Sequence, residues 1–163
     1  MGSNTRILIC SEVFFLIPAI LLGAPAYGSV PASFTCCGER AVDEVIAAYL
    51  ELQEALAAGK KSAGRHLSGL GKHLEDHAGL DPVDVAVFRD LSALVDKLDD
   101  KGVDGIRADF DDISRNVIFL ALRHEGGHSP VAEAFCSGRG SWLQADLATI
   151  RDPWGVGCGE WRE

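Results

Sequence analysis

The chain has 163 residues, with 24 acidic and 15 basic side chains and a formal net charge of −9. That length holds one domain and leaves no room for a second core, and the negative balance argues against a general nucleic-acid binder, because a phosphate backbone repels an acidic face. Hydrophobic residues make up 47% of the chain, enough for a real core, while six prolines and 18 glycines in no period exclude a collagen-like repeat.

Residues 1–28 read as a secretory leader. Arg6 is the single positive charge ahead of a mostly apolar stretch, Ile7–Leu22, and Ala24-Pro25-Ala26-Tyr27-Gly28 offers small residues for cleavage after Ala26 or after Gly28. Glu12 interrupts the apolar stretch, and the ten residues from Val13 to Leu22 are too few to span a bilayer. The expectation is an exported chain, periplasmic or secreted, with residues 29–163 as one helical domain and no membrane span in the mature part. The only methionine is Met1, so a methionine-rich copper site is excluded.

The stretch 38–125 is expected to form the helices. Val42, Val45, Ile46, Tyr49, Leu52 and Leu56 recur at steps of three and four, which predicts an amphipathic helix stopped by Gly59. Ser62 is placed to cap a second, glycine-containing helix with Leu67, Leu70 and Leu74 as its stripe. Asp81-Pro82-Val83-Asp84 is a helix start, with Asp81 as cap, Pro82 in the first turn and Asp84 at the positive end of the dipole. Val87, Phe88, Leu91, Leu94, Val95 and Leu98 follow at helical spacing until Gly102. Ile106, Phe110, Ile113, Val117, Leu120 and Ala121 form a fourth run that ends at Gly126-Gly127. Four helices on short connections predict an all-α, up-and-down four-helix bundle. Strand-like alternation is not apparent. Pro130–Phe135 reads as one further turn of helix, and the tail from about 126 to 163 as irregular chain wrapping the bundle, with Trp142, Trp154 and Trp161 burying apolar area against it.

Export puts cysteine in an oxidising compartment. Of the five cysteines, Cys10 leaves with the leader; Cys36, Cys37, Cys136 and Cys158 remain and allow three connectivities. A Cys136–Cys158 disulfide closes a short loop worth ~3 kcal/mol. Metal ligation or a free thiol is the other reading of the same pair.

The tail carries an ordered series of blocks: Ala134-Phe135-Cys136, Gly140-Ser141-Trp142-Leu143-Gln144, Ile150-Arg151-Asp152-Pro153-Trp154-Gly155 and Cys158-Gly159-Glu160. This series resembles the C-terminal pattern of a small periplasmic helical family of unknown function, which also occurs as the last domain of some adaptor subunits of heavy-metal efflux pumps. Ala48-Tyr49-Leu50-Glu51-Leu52 is similar to the family's helical part. The resemblance implies a helical fold and a role near soft metals such as copper, for which cysteine and methionine sulfur are the ligands. Here Cys136 is followed by Ser137-Gly138 rather than Pro-Met, and the segment before Cys158 has no methionine.

Three constellations carry possible chemistry. His124-Glu125-Gly126-Gly127-His128 satisfies H-E-x-x-H, the pattern of zinc proteases, which requires both histidines on one helix face. Two glycines and Ser129-Pro130 place it across a helix end instead. His66, His73 and His77 fall on one face of the second helix, and His73 with His77 at i, i+4 can chelate a divalent ion such as copper or zinc. Lys60, Lys61, Arg65 and Lys72 nearby repel a cation and make a solvated basic face the plainer reading. Cys136 and Cys158 complete the candidate metal set. A cysteine nucleophile would need a base such as His124 or His128 beside it, and nothing in the sequence singles out that pairing. The sequence therefore points to a non-enzymatic exported domain that binds a soft metal or an envelope partner protein. The alternative is a zinc-dependent hydrolase built on His124, Glu125 and His128.

Overall fold

The computed structural model describes residues 37–75, 79–124 and 131–162. The proposed leader, residues 1–28, and Cys36 lie outside these. Four helices come first: α1 (Cys37–Ala57), α2 (Ala63–His73), α3 (Pro82–Leu98) and α4 (Val103–Arg123). Three strands follow, β1 (Ala132–Cys136), β2 (Gly140–Gln144) and β3 (Glu160–Trp161).

The apolar stripes predicted from spacing are the ones that become buried. On α1 these are Val42, Val45, Ile46, Tyr49, Leu52 and Leu56, and on α4 Ile106, Phe110, Ile113, Val117, Leu120 and Ala121. Gly59 ends α1 by taking φ +61°. Its N–H bonds to the Leu56 carbonyl and that of Lys60 to the Ala55 carbonyl, a double closure that a Cβ at this φ would strain. The start of α3 forms as its sequence demands, with Asp81 Oδ1 accepting the N–H groups of Val83 at 2.7 Å and Asp84 at 3.1 Å. Ser62 differs from expectation. It precedes α2, but its own backbone is helical and its hydroxyl makes no capping bond.

Contacts between helices run in opposite chain order on every neighbouring pair. His66 and His73 of α2 meet Glu51 and Glu44 of α1. Lys97 and Asp84 of α3 meet Asp109 and Arg123 of α4. Tyr49 and Leu56 of α1 meet Ser114 and Arg107 of α4. Neighbouring helices are therefore antiparallel, as short connections require.

The tail corrects the all-α expectation. In place of an irregular wrap it forms a three-stranded antiparallel sheet in the order β2-β1-β3. The helical turn expected before Phe135 is absent from the described residues, and Ala132–Cys136 is a strand pairing Ala134 with Trp142 and Phe135 with Ser141. β3 pairs Trp161 with Ala134 on the other side of β1. The physical reason is tertiary: Ala134, Cys136 and Trp142 are buried together, and that burial outweighs the weak strand preference of an Ala-Glu-Ala run. Gly140 takes φ +123°, and a side chain there would run into the Asp111 carboxylate of α4, so the hairpin lies flush against that helix.

The sheet and the following loop pack along α1 and α4, against Tyr49, Gln53, Arg107 and Asp111. Tyr49 stacks on Phe110 at 5.5 Å, Phe110 meets Trp154 edge-on at 5.9 Å, and Trp154 meets Trp142 edge-on at 5.5 Å. Trp142 and Trp154 are buried as expected, whereas Trp161 is 37% exposed on the outer strand. Polar ties follow the same line. The Tyr49 hydroxyl pairs with Ser114 Oγ at 2.7 Å and accepts the Leu143 N–H at 3.2 Å. Gln53 Nε2 donates to the Arg151 carbonyl, Arg107 Nε to that of Pro153, and Trp154 Nε1 to that of Arg107. Cys136 and Cys158 form a disulfide with their Cα atoms 5.6 Å apart, tying the end of β1 to the chain entering β3.

Two outcomes follow. Replacing Cys136 and Cys158 by serine lowers the unfolding free energy in urea by about 2–5 kcal/mol. Tyr49→Phe strands the buried Leu143 N–H and costs about 1–3 kcal/mol; an unchanged midpoint would mean that this hydroxyl holds nothing.

Candidate functional site

The residues singled out by sequence are dispersed. Cys136 and Cys158 are bonded to each other, so while the disulfide stands neither supplies a thiolate to a metal. His73 has its Nδ1 3.4 Å from Glu44 Oε2, and His66 Nδ1 lies 3.3 Å from Glu51 Oε2.

 

Both histidines thus face carboxylates of α1 on an exposed surface. His77, the proposed partner of His73, lies outside the described residues, as do Glu125 and His128 of the H-E-x-x-H pattern. Among the described residues no three His, Cys, Asp or Glu side chains gather into a group that can hold a metal.

His124 has a different occupation. It follows the last residue of α4, and its Nε2 lies 2.9 Å from Oδ2 of Asp84, whose side chain is 2% exposed. The other oxygen of Asp84 accepts Arg123 Nε at 3.0 Å, and Arg123 reaches on to Asp81. The cluster fastens the end of α4 to the start of α3. Hydrogen bonding to Asp84 raises the Arg123 pKa further above its already high value. The backbone N–H of Asp84 holds the Asp81 carboxyl below the usual carboxylate range, helped by Val83 N–H and by Arg123. Both oxygens of Asp84 are engaged, so its chemistry is that of a fastener.

The surface left over is on the outer side of α4, which no later element covers completely. Two grooves flank it and share Arg115. The first, about 490 Å³, runs between α4 and the sheet, lined by Asp111, Arg115, Ile118 and Leu122 on α4 and by Glu133, Ser141 and Arg162 on the sheet side. The α4 residues fall at i, i+4, i+7 and i+11, a single helical stripe. Leu122 is 62% exposed at its rim. Arg162 pairs with Glu133 at 2.9 Å and lies over the Phe135 ring, and Arg115 pairs with Asp111 at 3.2 Å. The second groove, about 760 Å³, runs between α3 and α4, with Val87, Ala93, Leu94 and Phe119 among its lining residues. Phe119 is 43% exposed there.

Sequence reasoning missed these grooves. Val87 and Leu94 were expected in the core, and they pack on it only in part. The signal available was the run Ile118-Phe119 with Leu122, apolar residues off the inner stripe of α4. Among the described residues no helix is long and apolar enough to cross a membrane. No family model, curated protein or solved structure matches the chain.

The Asp81 carboxyl gives a pH-dependent outcome. Its pKa is lower folded than unfolded, so its stabilisation is complete above about pH 4, the unfolded value, and is lost as pH falls through the folded one. Asp81→Ala therefore melts below the wild type at neutral pH, and the gap closes as the solution is acidified below that range. A gap constant down to pH 2 would refute the ionic part of the account.

Proposed function

We propose that this chain is an exported, non-enzymatic domain, an up-and-down helical bundle with its sheet attached, that binds an envelope protein partner through the groove between α4 and the sheet. The observation that carries the reading is the apolar pair Ile118 and Leu122, set in that groove between the ion pairs Arg115–Asp111 and Arg162–Glu133. An apolar centre with a polar rim is the arrangement of protein interfaces. The mixed charges suit a segment that brings both signs around an apolar anchor. The Cys136–Cys158 disulfide supports export, since such bonds persist in oxidising compartments. The tail blocks that resemble the periplasmic family build this surface, through Ser141 and the strands beside it.

Partner binding stands ahead of metal binding on chemistry. Copper or zinc at Cys136 and Cys158 requires the disulfide to be reduced first, and His73 is turned toward Glu44. The hydrolase reading needs Nε2 of His124, which Asp84 engages.

Peptides selected from a display library against the folded domain test the reading. Selected binders are expected to lose affinity at least tenfold, about 1.4 kcal/mol, in Leu122→Asp and Ile118→Asp proteins and to be unaffected by Lys61→Asp. Circular dichroism checks that each variant is folded. Binders indifferent to both α4 changes would remove the site.

A further inference from the structure

We infer that the outer face of α2 is a docking surface for an acidic segment of another protein, a stretch of chain that presents a row of carboxylates. It is a different surface from the groove beside the sheet. It stands on a separate observation, the set of cations that this face leaves without partners.

The stretch from Lys60 to His73 carries three lysines, one arginine and no Asp or Glu, in a chain whose net charge is −9. Lys60, Lys61, Arg65 and Lys72 are all exposed, and none makes a salt bridge among the described residues. On α3, α4 and the tail, by contrast, Lys97, Lys101, Arg107, Arg115, Arg123 and Arg162 are each held by a carboxylate of the same chain. Arg65 and Lys72 are seven residues apart, so they share one helix face, about 10 Å from each other along the axis. Lys61 lies in the turn ahead of α2, four residues before Arg65. Among these cations the helix carries Gly64, Ser68 and Gly69, and a Cβ at either glycine would meet nothing within 4 Å. The cations therefore stand around bare helix, on which a segment can lie directly.

Carboxylates of this chain border the face on both sides. Glu51 and Glu44 of α1 lie beside His66 and His73, and Asp99 of α3 accepts the Ser68 hydroxyl at 2.9 Å. Packed helix axes are about 8–10 Å apart, so a flat anionic surface such as a lipid headgroup layer would press on these acids as it reached the cations. A single segment is narrow enough to follow α2 between them. Like charges repel it on either side and opposite charges hold it in the middle, which fixes its line along the helix. The chain's overall negative charge is screened beyond about 10 Å at 0.1 M salt, whereas the contacts on α2 are made at closer range.

The test is a nuclear magnetic resonance titration of the isotope-labelled domain with a defined probe. The probe is a short alanine-rich helical peptide with glutamates at steps of four and three along one face, and its twin has glutamine at those positions. The glutamate peptide is expected to move the Gly64, Gly69 and Lys72 amide signals with a dissociation constant of about 1 millimolar or tighter, the reach of a few exposed ion pairs. The glutamine twin is expected to leave them in place. Arg65→Glu and Lys72→Glu should each weaken binding at least about fivefold, and Arg139→Glu, which changes the net charge equally on the hairpin, by less than about twofold. Far-ultraviolet circular dichroism establishes that all three variants are folded. A glutamate peptide that binds no better than its twin overturns the proposal, and so does an equal loss in all three variants. Sedimentation of the domain with phosphatidylglycerol vesicles, lost in Arg65→Glu, also overturns it, because the face would then belong to a lipid surface. The groove beside the sheet is scored separately, through Ile118 and Leu122, so either surface can fail without the other.

Discussion

A buried hydroxyl has to find partners, and Tyr49 finds them on two other segments. Its oxygen pairs with Ser114 of α4 and accepts the Leu143 N–H of β2, while its ring stacks on Phe110. Burial, the largest cause, pushes its pKa well above the ordinary tyrosine value, so it remains a neutral hydroxyl throughout the physiological range. α1, α4 and the sheet are thereby held at one point. With β3 only two residues long the sheet is little more than a hairpin, which is marginal in water without a surface to pack on. It exists because the helices supply a surface on which Trp142 and Leu143 can be buried.

The loop after β2 is built by two side chains acting on backbone. Gln144 donates to the Thr149 carbonyl and accepts the Arg151 N–H, closing the chain on itself. Asp152 accepts the N–H groups of Trp154, Val156, Gly157 and Cys158. These bonds satisfy donors that a stretch without regular structure would leave open. They also deliver Trp154 to Phe110 and Cys158 to Cys136. Asp152 is thus part of the reason the disulfide closes where it does, with the covalent bond fixing an arrangement that hydrogen bonds already favour.

The helices were legible because each repeats an apolar stripe over three or more turns, and because Asp81-Pro82 and Gly59 mark boundaries with specific backbone chemistry. The sheet was not. β1 is five residues long, two of them alanine, so its alternation spans barely two cycles. A local signal was present in Ser137-Gly138-Arg139-Gly140, a short glycine-containing loop of the hairpin kind between Cys136 and Trp142. The disulfide was readable as one of three connectivities, since cysteines in an exported chain tend to pair. The grooves were illegible for a different reason. Leu94 and Leu91 look alike in a periodic pattern. Whether a position near the edge of the stripe is covered depends on which side the tail folds over, and that is settled by Tyr49 and Gly140, far away in sequence.

The outer side of α4 is where these constraints leave freedom. Its inner stripe, Ile106, Phe110, Ile113, Val117 and Leu120, already fills the core. Beside it Ile118 packs in part on that core, and Phe119 and Leu122 are exposed. α2 presents a polar outer face instead, with Arg65, Ser68 and Lys72 turned to solvent or toward neighbouring polar groups. Phe119 lies under the Arg123 guanidinium, 5.7 Å from its ring centroid, whereas Leu122 is left 62% exposed. Arg115 lines both grooves, and its guanidinium is paired within α4 to Asp111 and Asp112, so the one charged group the grooves share is held by the helix's own carboxylates.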